Sequence, residues 1–480
     1  MKSPFHAAWL AGLVLVAGLA LGTNIGDAGG GILDVADVED FFYCYAGPDV
    51  PAGEDCAILY DFDGDLDVDL TDFAVLQVEY GYIADVQIKQ VTFTGAGFCA
   101  VRIDCPSGSC SSYSTPHYLD NNLNGDTSDT GDHQFPVAFV RDTAITLTGV
   151  RFGTDPGDLG LTDVPVRGSG PEGIEFLGTA YTSGATLIVS GTMTSATPLP
   201  NEVTYYEAFP IAWEVALNGA TYQPAGTSHH EIYVTYDEPL GQKLESYFDI
   251  STKAAQGTAA QQDVIDAIWE EFADLEVWNA HGERLGYYRG VLCASYCTYY
   301  TAAQLVYYTT SQCGGWATLL MECFRVQGIG SSQFITAQPR TDGTLPVDCG
   351  SPAQPPSSFI VKNYNFLPGS SSGCAAYPFK FNDPCGYYSS WSDPTVVDAP
   401  GLPGQDNPNP ASWFARHFIV KINDKYYDPS YGAGPFTGTT AEATMTWETG
   451  AIAGYQGKAT SSRAGVRQDS AQIRECYFDQ

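Results

Sequence analysis

Three side chains in the C-terminal half have the types needed to break an amide: Cys313, His417 and Asp428. The cysteine lies in QCGGWATLLMECFRVQGI, residues 312–329, and is followed at once by Gly314 and Gly315. From Trp316 to Phe324 the residues favour a helix. Trp316, Leu319, Leu320 and Cys323 make one apolar face, and Gly328 is a natural C-terminal stop. Cys313 therefore falls at or just before the helix start. There, unpaired N–H groups and the positive end of the dipole favour a thiolate over a thiol. The same donors can receive an oxyanion. The two glycines either keep the approach to the sulfur open or simply make a tight entry into the helix.

A nucleophilic sulfur needs a base. Of the seven histidines, His417 opens HFIVKINDKYYDPSYG, which reads as a β-hairpin turning at Asn423-Asp424. With Ile422 opposite Lys425, Ile419 faces Asp428, and His417, Ile419 and Asp428 share one face of the sheet. His417 and Asp428 are then diagonal neighbours, with Cβ atoms roughly 7–8 Å apart, a gap that an imidazole and a carboxylate can bridge. Such a carboxylate fixes the imidazole tautomer.

The order of these elements resembles the transglutaminase-like superfamily, in which a cysteine opens a core helix while histidine and aspartate lie on adjacent strands. SQCGGWATLLMECFRVQGI is similar to that family's cysteine block, and HFIVKINDKYYDPSYG to its His and Asp-Pro blocks. The resemblance covers about residues 255–435, with a long insertion between the blocks. It implies Cys313 as nucleophile, His417 as general base and Asp428 as orienting carboxylate. The activity implied is a cysteine peptidase or amidase, or an acyltransferase, acting on protein or peptide amides through a thioester. Hydrolysis is favoured over cross-linking. Gly314 and His417-Phe418 depart from the family's usual residues, which are an aromatic and a His-Trp pair.

A second pattern suits a cation. In DFDGDLDVDLTDF, Asp61, Asp63, Asp65, Asp67, Asp69 and Asp72 occupy loop positions 1, 3, 5, 7, 9 and 12. Calcium takes six to eight hard oxygen ligands, which alternate carboxylates supply. The stretch resembles the calcium loops of dockerin modules, although Leu66 stands where such loops usually carry glycine. The resemblance implies a structural calcium ion and admits a cohesin-like partner. A weaker candidate, Asp120, Asn122, Asn124 and Asp126, reads more readily as a polar hairpin loop, since Gly131 stands at its twelfth position.

The elements that must position these residues give an α+β, multidomain expectation. Residues 1–22 read as a signal peptide: Lys2 precedes an apolar run from Ala7 to Leu21 that is shorter than the ~20 residues of a membrane span. Residues 26–82 form the dockerin-like module. Residues 84–248 carry short β-branched and aromatic runs (86–93, 136–140, 143–152, 185–193 and 230–236), which suggest a β-sandwich-like domain. Residues 249–480 hold the transglutaminase-like domain. There AQQDVIDAIWEEFADL places Val264, Ile265, Ile268, Trp269 and Phe272 on one helical face, and residues 339–411 form a long Pro/Gly-rich insertion.

Formal charge is −35, from 56 acidic against 21 basic residues, which disfavours nucleic acid and anionic membranes as partners. Thirteen cysteines fit a secreted, cell-surface or periplasmic chain. The odd number leaves at least one thiol unpaired, and Cys44 with Cys56 is an expected bridge. Cys293 and Cys297 are better read as disulfide partners than as a metal pair. The rival reading from another class is a non-catalytic, calcium-dependent binding or cell-surface protein that uses the same fold as a scaffold.

Overall fold

The computed structural model describes residues 85–287 apart from 108, 156–158, 218 and 220, together with residues 301–339, 403–407 and 417–437. It also describes the strand backbones at 356–361, 413–414, 452–458, 464–467 and 473–478, and positions 43–45 and 68. Within these residues the chain is α+β. Between residues 245 and 326 its helices are α1 (Glu245–Ala254), α2 (Gln261–Ala273), α3 (Ala302–Tyr308) and α4 (Cys313–Val326).

Twelve strands between Asp85 and Thr235 hydrogen-bond into one sheet. In its first strand, Asp85–Thr94, Val86 and Ile88 point inward, then Val91 and Phe93. The parity changes between the two pairs, and register irregularities at Ile88, Gln90 and Thr92 absorb the change. Phe93, Phe139, Phe152, Trp213 and Ile232 meet in a single core. All five runs picked out in the sequence contain strands. Six strands of this sheet fall outside those runs, and the three longest, Val164–Ser169, Glu175–Thr182 and Thr204–Val215, lacked a legible signal. Leu177 and Tyr181 face solvent in one of them, which blurs alternation, and Pro210 interrupts another.

The expected boundary at 248/249 falls inside α1, whose N-terminus is held by the strand region. Leu244 offers no side-chain cap. Instead Asp104 accepts from Ser246 N at 3.3 Å and from the Ser246 hydroxyl, while Tyr113 donates to Glu245. The Cys105–Cys110 disulfide closes the loop between these two holders. One core cluster accordingly mixes Cys99, Val101, Ala138, Val203 and Tyr233 with residues of all four helices.

Helix α2 buries the expected Val264, Ile265, Ile268, Trp269 and Phe272. Helix α4 is enclosed, with Trp316, Leu319, Leu320, Cys323 and Phe324 all fully buried. It packs on an antiparallel five-stranded sheet ordered Ala433–Thr437, Lys425–Asp428, His417–Ile422, Gln333–Pro339, Ile473–Phe478. The stretch 339–411, expected as a loop, contributes strand Pro356–Val361 to a second, four-stranded sheet.

The signal peptide and the aspartates Asp61, Asp63, Asp65, Asp67, Asp69 and Asp72 lie outside the described residues, as do Cys56, Cys293 and Cys297. Cys44 is disulfide-bonded. Among the described residues Cys99, Cys313 and Cys323 are thiols. All three lie in the shared core. No described helix is long and apolar enough to cross a membrane.

Candidate active site

Local chemistry places the three candidate residues. Cys313 is the first residue of α4, after an extended Gln312 whose carbonyl accepts from Gly315 N at 3.0 Å and Trp316 N at 3.3 Å. The first-turn N–H groups of Cys313 and Gly314 therefore have no acceptor within the helix. Gly315 decides between the two readings of the glycine pair. A Cβ there would lie 2.1 Å from Ser311 Oγ and 2.7 Å from Ser311 Cβ. The short strand Thr310–Ser311 thus crosses the helix entry at a distance only glycine permits, and the tight-entry reading applies at this position.

The hairpin has the expected register. Ile422 pairs with Lys425 and Val420 with Tyr427. Asn423 and Asp424 take φ values of 47° and 57°, the left-handed pair of a two-residue turn. His417 starts one strand and Asp428 ends the other. His417 Nε2 lies 2.7 Å from Asp428 Oδ2, and both side chains are buried. The Cys313 sulfur, 3% exposed as a residue, lies close enough to the same imidazole to raise its pKa. All three predicted residues therefore meet in one place, with the imidazole bonded to the carboxylate and under the electrostatic influence of the sulfur.

Electrostatics favours a charged imidazole. Burial is the largest influence on His417 and opposes the charge. Asp428 and then Cys313 outweigh it, and the pKa rises to about 10. An imidazolium held between a carboxylate and a sulfur is the charge state that pairs with a thiolate nucleophile. Tyr431 stands beside the ring, centroid to centroid 5.7 Å, and its own neighbour is Tyr287 at 5.3 Å. Sequence reasoning missed Tyr431. The aromatic in DPSYG is visible, but no periodicity aims it at His417.

Two other polar clusters have residue types that could do chemistry. Asp104, Ser246 and His281 have the residue types of a serine triad, but His281 Nε2 meets Asp104 at 3.4 Å rather than the serine. The Ser246 hydroxyl donates to Asp104 and accepts from Ala280 N at 3.0 Å, so the group is a helix cap and not a nucleophile with its base. In the polar loop, Asp120 accepts from Leu123 N at 2.7 Å and Gly125 N at 2.8 Å, and the Asn122 and Asn124 amides both donate to Asp129. Its polar groups satisfy one another, as a hairpin loop requires. Among the described residues no group of three or more His, Cys, Asp or Glu side chains is placed to hold a metal ion.

No protein-family model matches the chain, and no curated protein matches it.

Proposed function

We propose that the chain is a cysteine-dependent acyl-transfer enzyme of the transglutaminase-like kind, acting on amide bonds of proteins or peptides, with water as the favoured acceptor. The observation that carries this reading is the grouping of Cys313, His417 and Asp428, with the imidazole bonded to the carboxylate at 2.7 Å and the sulfur near enough to raise its pKa.

In the proposed reaction the Cys313 thiolate attacks the substrate carbonyl carbon. The carbonyl oxygen becomes an oxyanion facing the first-turn N–H groups of Cys313 and Gly314. His417 gives its proton to the leaving amine as the C–N bond breaks, and a thioester remains. Neutral His417 then takes a proton from water, whose oxygen attacks the thioester. The acid product leaves, and the thiolate–imidazolium pair is restored. An amine in place of water yields a cross-link by the same steps. Because Cys313 is almost enclosed, a substrate reaches it by displacing neighbouring groups.

The fold reading that goes with this proposal is a dockerin-like module, a β-sandwich-like domain and a transglutaminase-like domain on an exported chain. The acidic loop Asp61–Asp72 is an all-carboxylate donor set suited to a hard dication. By the same resemblance the module would take calcium and offer a surface to a cohesin-like partner. Calorimetric titration with calcium tests it, and no binding heat removes that part of the proposal.

The decisive experiment is alkylation of the unreduced protein with iodoacetamide, followed by peptide mapping and an amidase assay on a casein-type substrate. The expected result is preferential labelling of Cys313 with parallel loss of activity, abolished in Cys313→Ala. A Cys313 no more reactive than buried Cys99 and Cys323 returns the chain to the binding-scaffold reading.

A further inference from the structure

Residues 403–407 belong to the Pro/Gly-rich stretch that separates the cysteine and histidine blocks, yet Gln405 is fully buried. Its side-chain amide donates to Phe272 O at 2.6 Å, in the last turn of α2, and to Pro429 O at 2.9 Å. Its backbone N–H donates to Ser430 O at 3.1 Å, and its carbonyl accepts from Tyr287 N at 2.7 Å. The next two residues dock as well. Asp406 pairs with Arg284 at 3.4 Å, and Asn407 donates to Tyr287 O at 2.8 Å.

Pro429 and Ser430 directly follow Asp428. On its N-terminal side Asp428 is fixed by the ladder, where Tyr427 pairs with Val420. On its C-terminal side the chain turns over residues 429–432 and returns as the strand Ala433–Thr437, whose Ala433 pairs with Asp428, while Tyr431 N bonds Asp428 O at 3.3 Å. The turn then rides on the end of α2 so closely that a Cβ at Gly432 would lie 2.8 Å from Ala273 O. Gln405 bonds both sides of that contact, α2 and the turn, from an element outside either.

We infer that Gln405 is a positioning residue that clamps the turn after Asp428 onto α2 and so aims the Asp428 carboxylate at His417 Nε2. The insertion is then part of how the site is assembled rather than a decoration on it. The catalytic consequence rests on the cysteine-enzyme reading, whereas the geometric content is read on His417 alone. Asp428 and Cys313 are the groups that raise the pKa of that imidazole, and Tyr431 is the further titratable side chain packed against it.

The test is a histidine NMR titration of the full chain, with the His417 signal assigned by its loss in His417→Gln. Gln405→Met keeps the length of the side chain and removes both donors. The expected result is a fall of the His417 midpoint by on the order of one pH unit, since part of the carboxylate's influence is lost. In an Asp428→Asn background the same substitution should produce no further shift, which a general loosening of the fold would not reproduce. With a functioning enzyme, kcat should drop while KM holds. A folded Gln405→Met protein with an unmoved His417 midpoint overturns the inference. Should that variant not fold, amide exchange in the unaltered protein decides. Protection of the Gln405 and Tyr287 N–H groups comparable to core strands supports the clamp, and loop-like exchange overturns it. An unreactive Cys313 would sink the enzyme reading while leaving these readouts intact.

Discussion

At the scale of single residues, the balance on His417 makes the sharpest prediction. Burial alone pushes an imidazole towards the neutral form, and here Asp428 and Cys313 reverse that preference. Because the folded pKa of about 10 stands above the ordinary 6.5, His417 contributes stability that is fully present below pH 6.5. That contribution is lost as pH rises through about 10. Asp428→Asn should lower the His417 midpoint and flatten this alkaline loss, which thermal melts between pH 7 and 10 measure directly. If the amidase reading holds, the same substitution should cut kcat on the order of 10⁴-fold, because the imidazole loses the group that selects its tautomer. Unchanged melts across that range would mean that the carboxylate does not charge the ring.

The elements explain why residues so distant in sequence meet. A helix start presents Cys313, and a two-residue turn fixes the register that brings Asp428 to His417. Both devices are written in short local patterns, CGG before an apolar helical face and ND between alternating strands, so the candidate triad was legible in the sequence. What lies between elements was not. The Ser311–Gly315 contact, the Asp104 cap on α1 and the Gln405 clamp join positions that no periodicity relates, and Gln405 sits in a stretch whose composition suggests an exposed loop. Two substitutions test the elements. Gly315→Ala must move the helix entry off Ser311, so it should cost about 1–3 kcal/mol in denaturant melts and slow alkylation of Cys313. Ser311→Gly in the same chain should restore part of both, and an additive double variant would place the strain elsewhere. Asp424→Gly removes a left-handed non-glycine residue with φ 57° from the hairpin turn, and should stabilise the protein by up to about 1 kcal/mol. A shift of the melt in the other direction would indicate that the Asp424 side chain has a role the turn geometry does not account for.

At the scale of the whole molecule, the strand region is continuous with the core that holds the site. Cys99, Val101, Ala138, Val203 and Tyr233 pack into the cluster containing Cys313 and Trp316, so loss of the large sheet uncovers the helices. That sheet encloses two histidines held neutral by burial, with His117 lowered to about 4 and His230 to about 3. His117 Nδ1 accepts from Phe93 N at 3.0 Å, and His230 Nε2 bonds Ser228 Oγ at 2.8 Å, so the neutral rings are built into the core. Their folded pKa values lie below the unfolded 6.5. The unfolded chain therefore takes up these protons first, and stability falls as pH drops from about 6.5 towards about 4 and 3. Glu245, at the junction with α1, runs the other way. Burial, only partly offset by the bond from Tyr113, raises it to about 7, so its contribution is complete below pH 4.5 and lost as pH rises through about 7. The two slopes are opposite in sign, and the histidine penalty falls on the acid limb. His230→Phe keeps an aromatic ring against Phe93 and Tyr118 but cannot titrate. Calorimetry from pH 4 to 7 should show a shallower decline of Tm with falling pH in that variant, and Cys313 should stay shielded from alkylation at lower pH than in the parent. Equal slopes in the two proteins would remove His230 from the acid response, whereas a shallower melt with unchanged Cys313 protection would show that the large sheet and the site unfold independently.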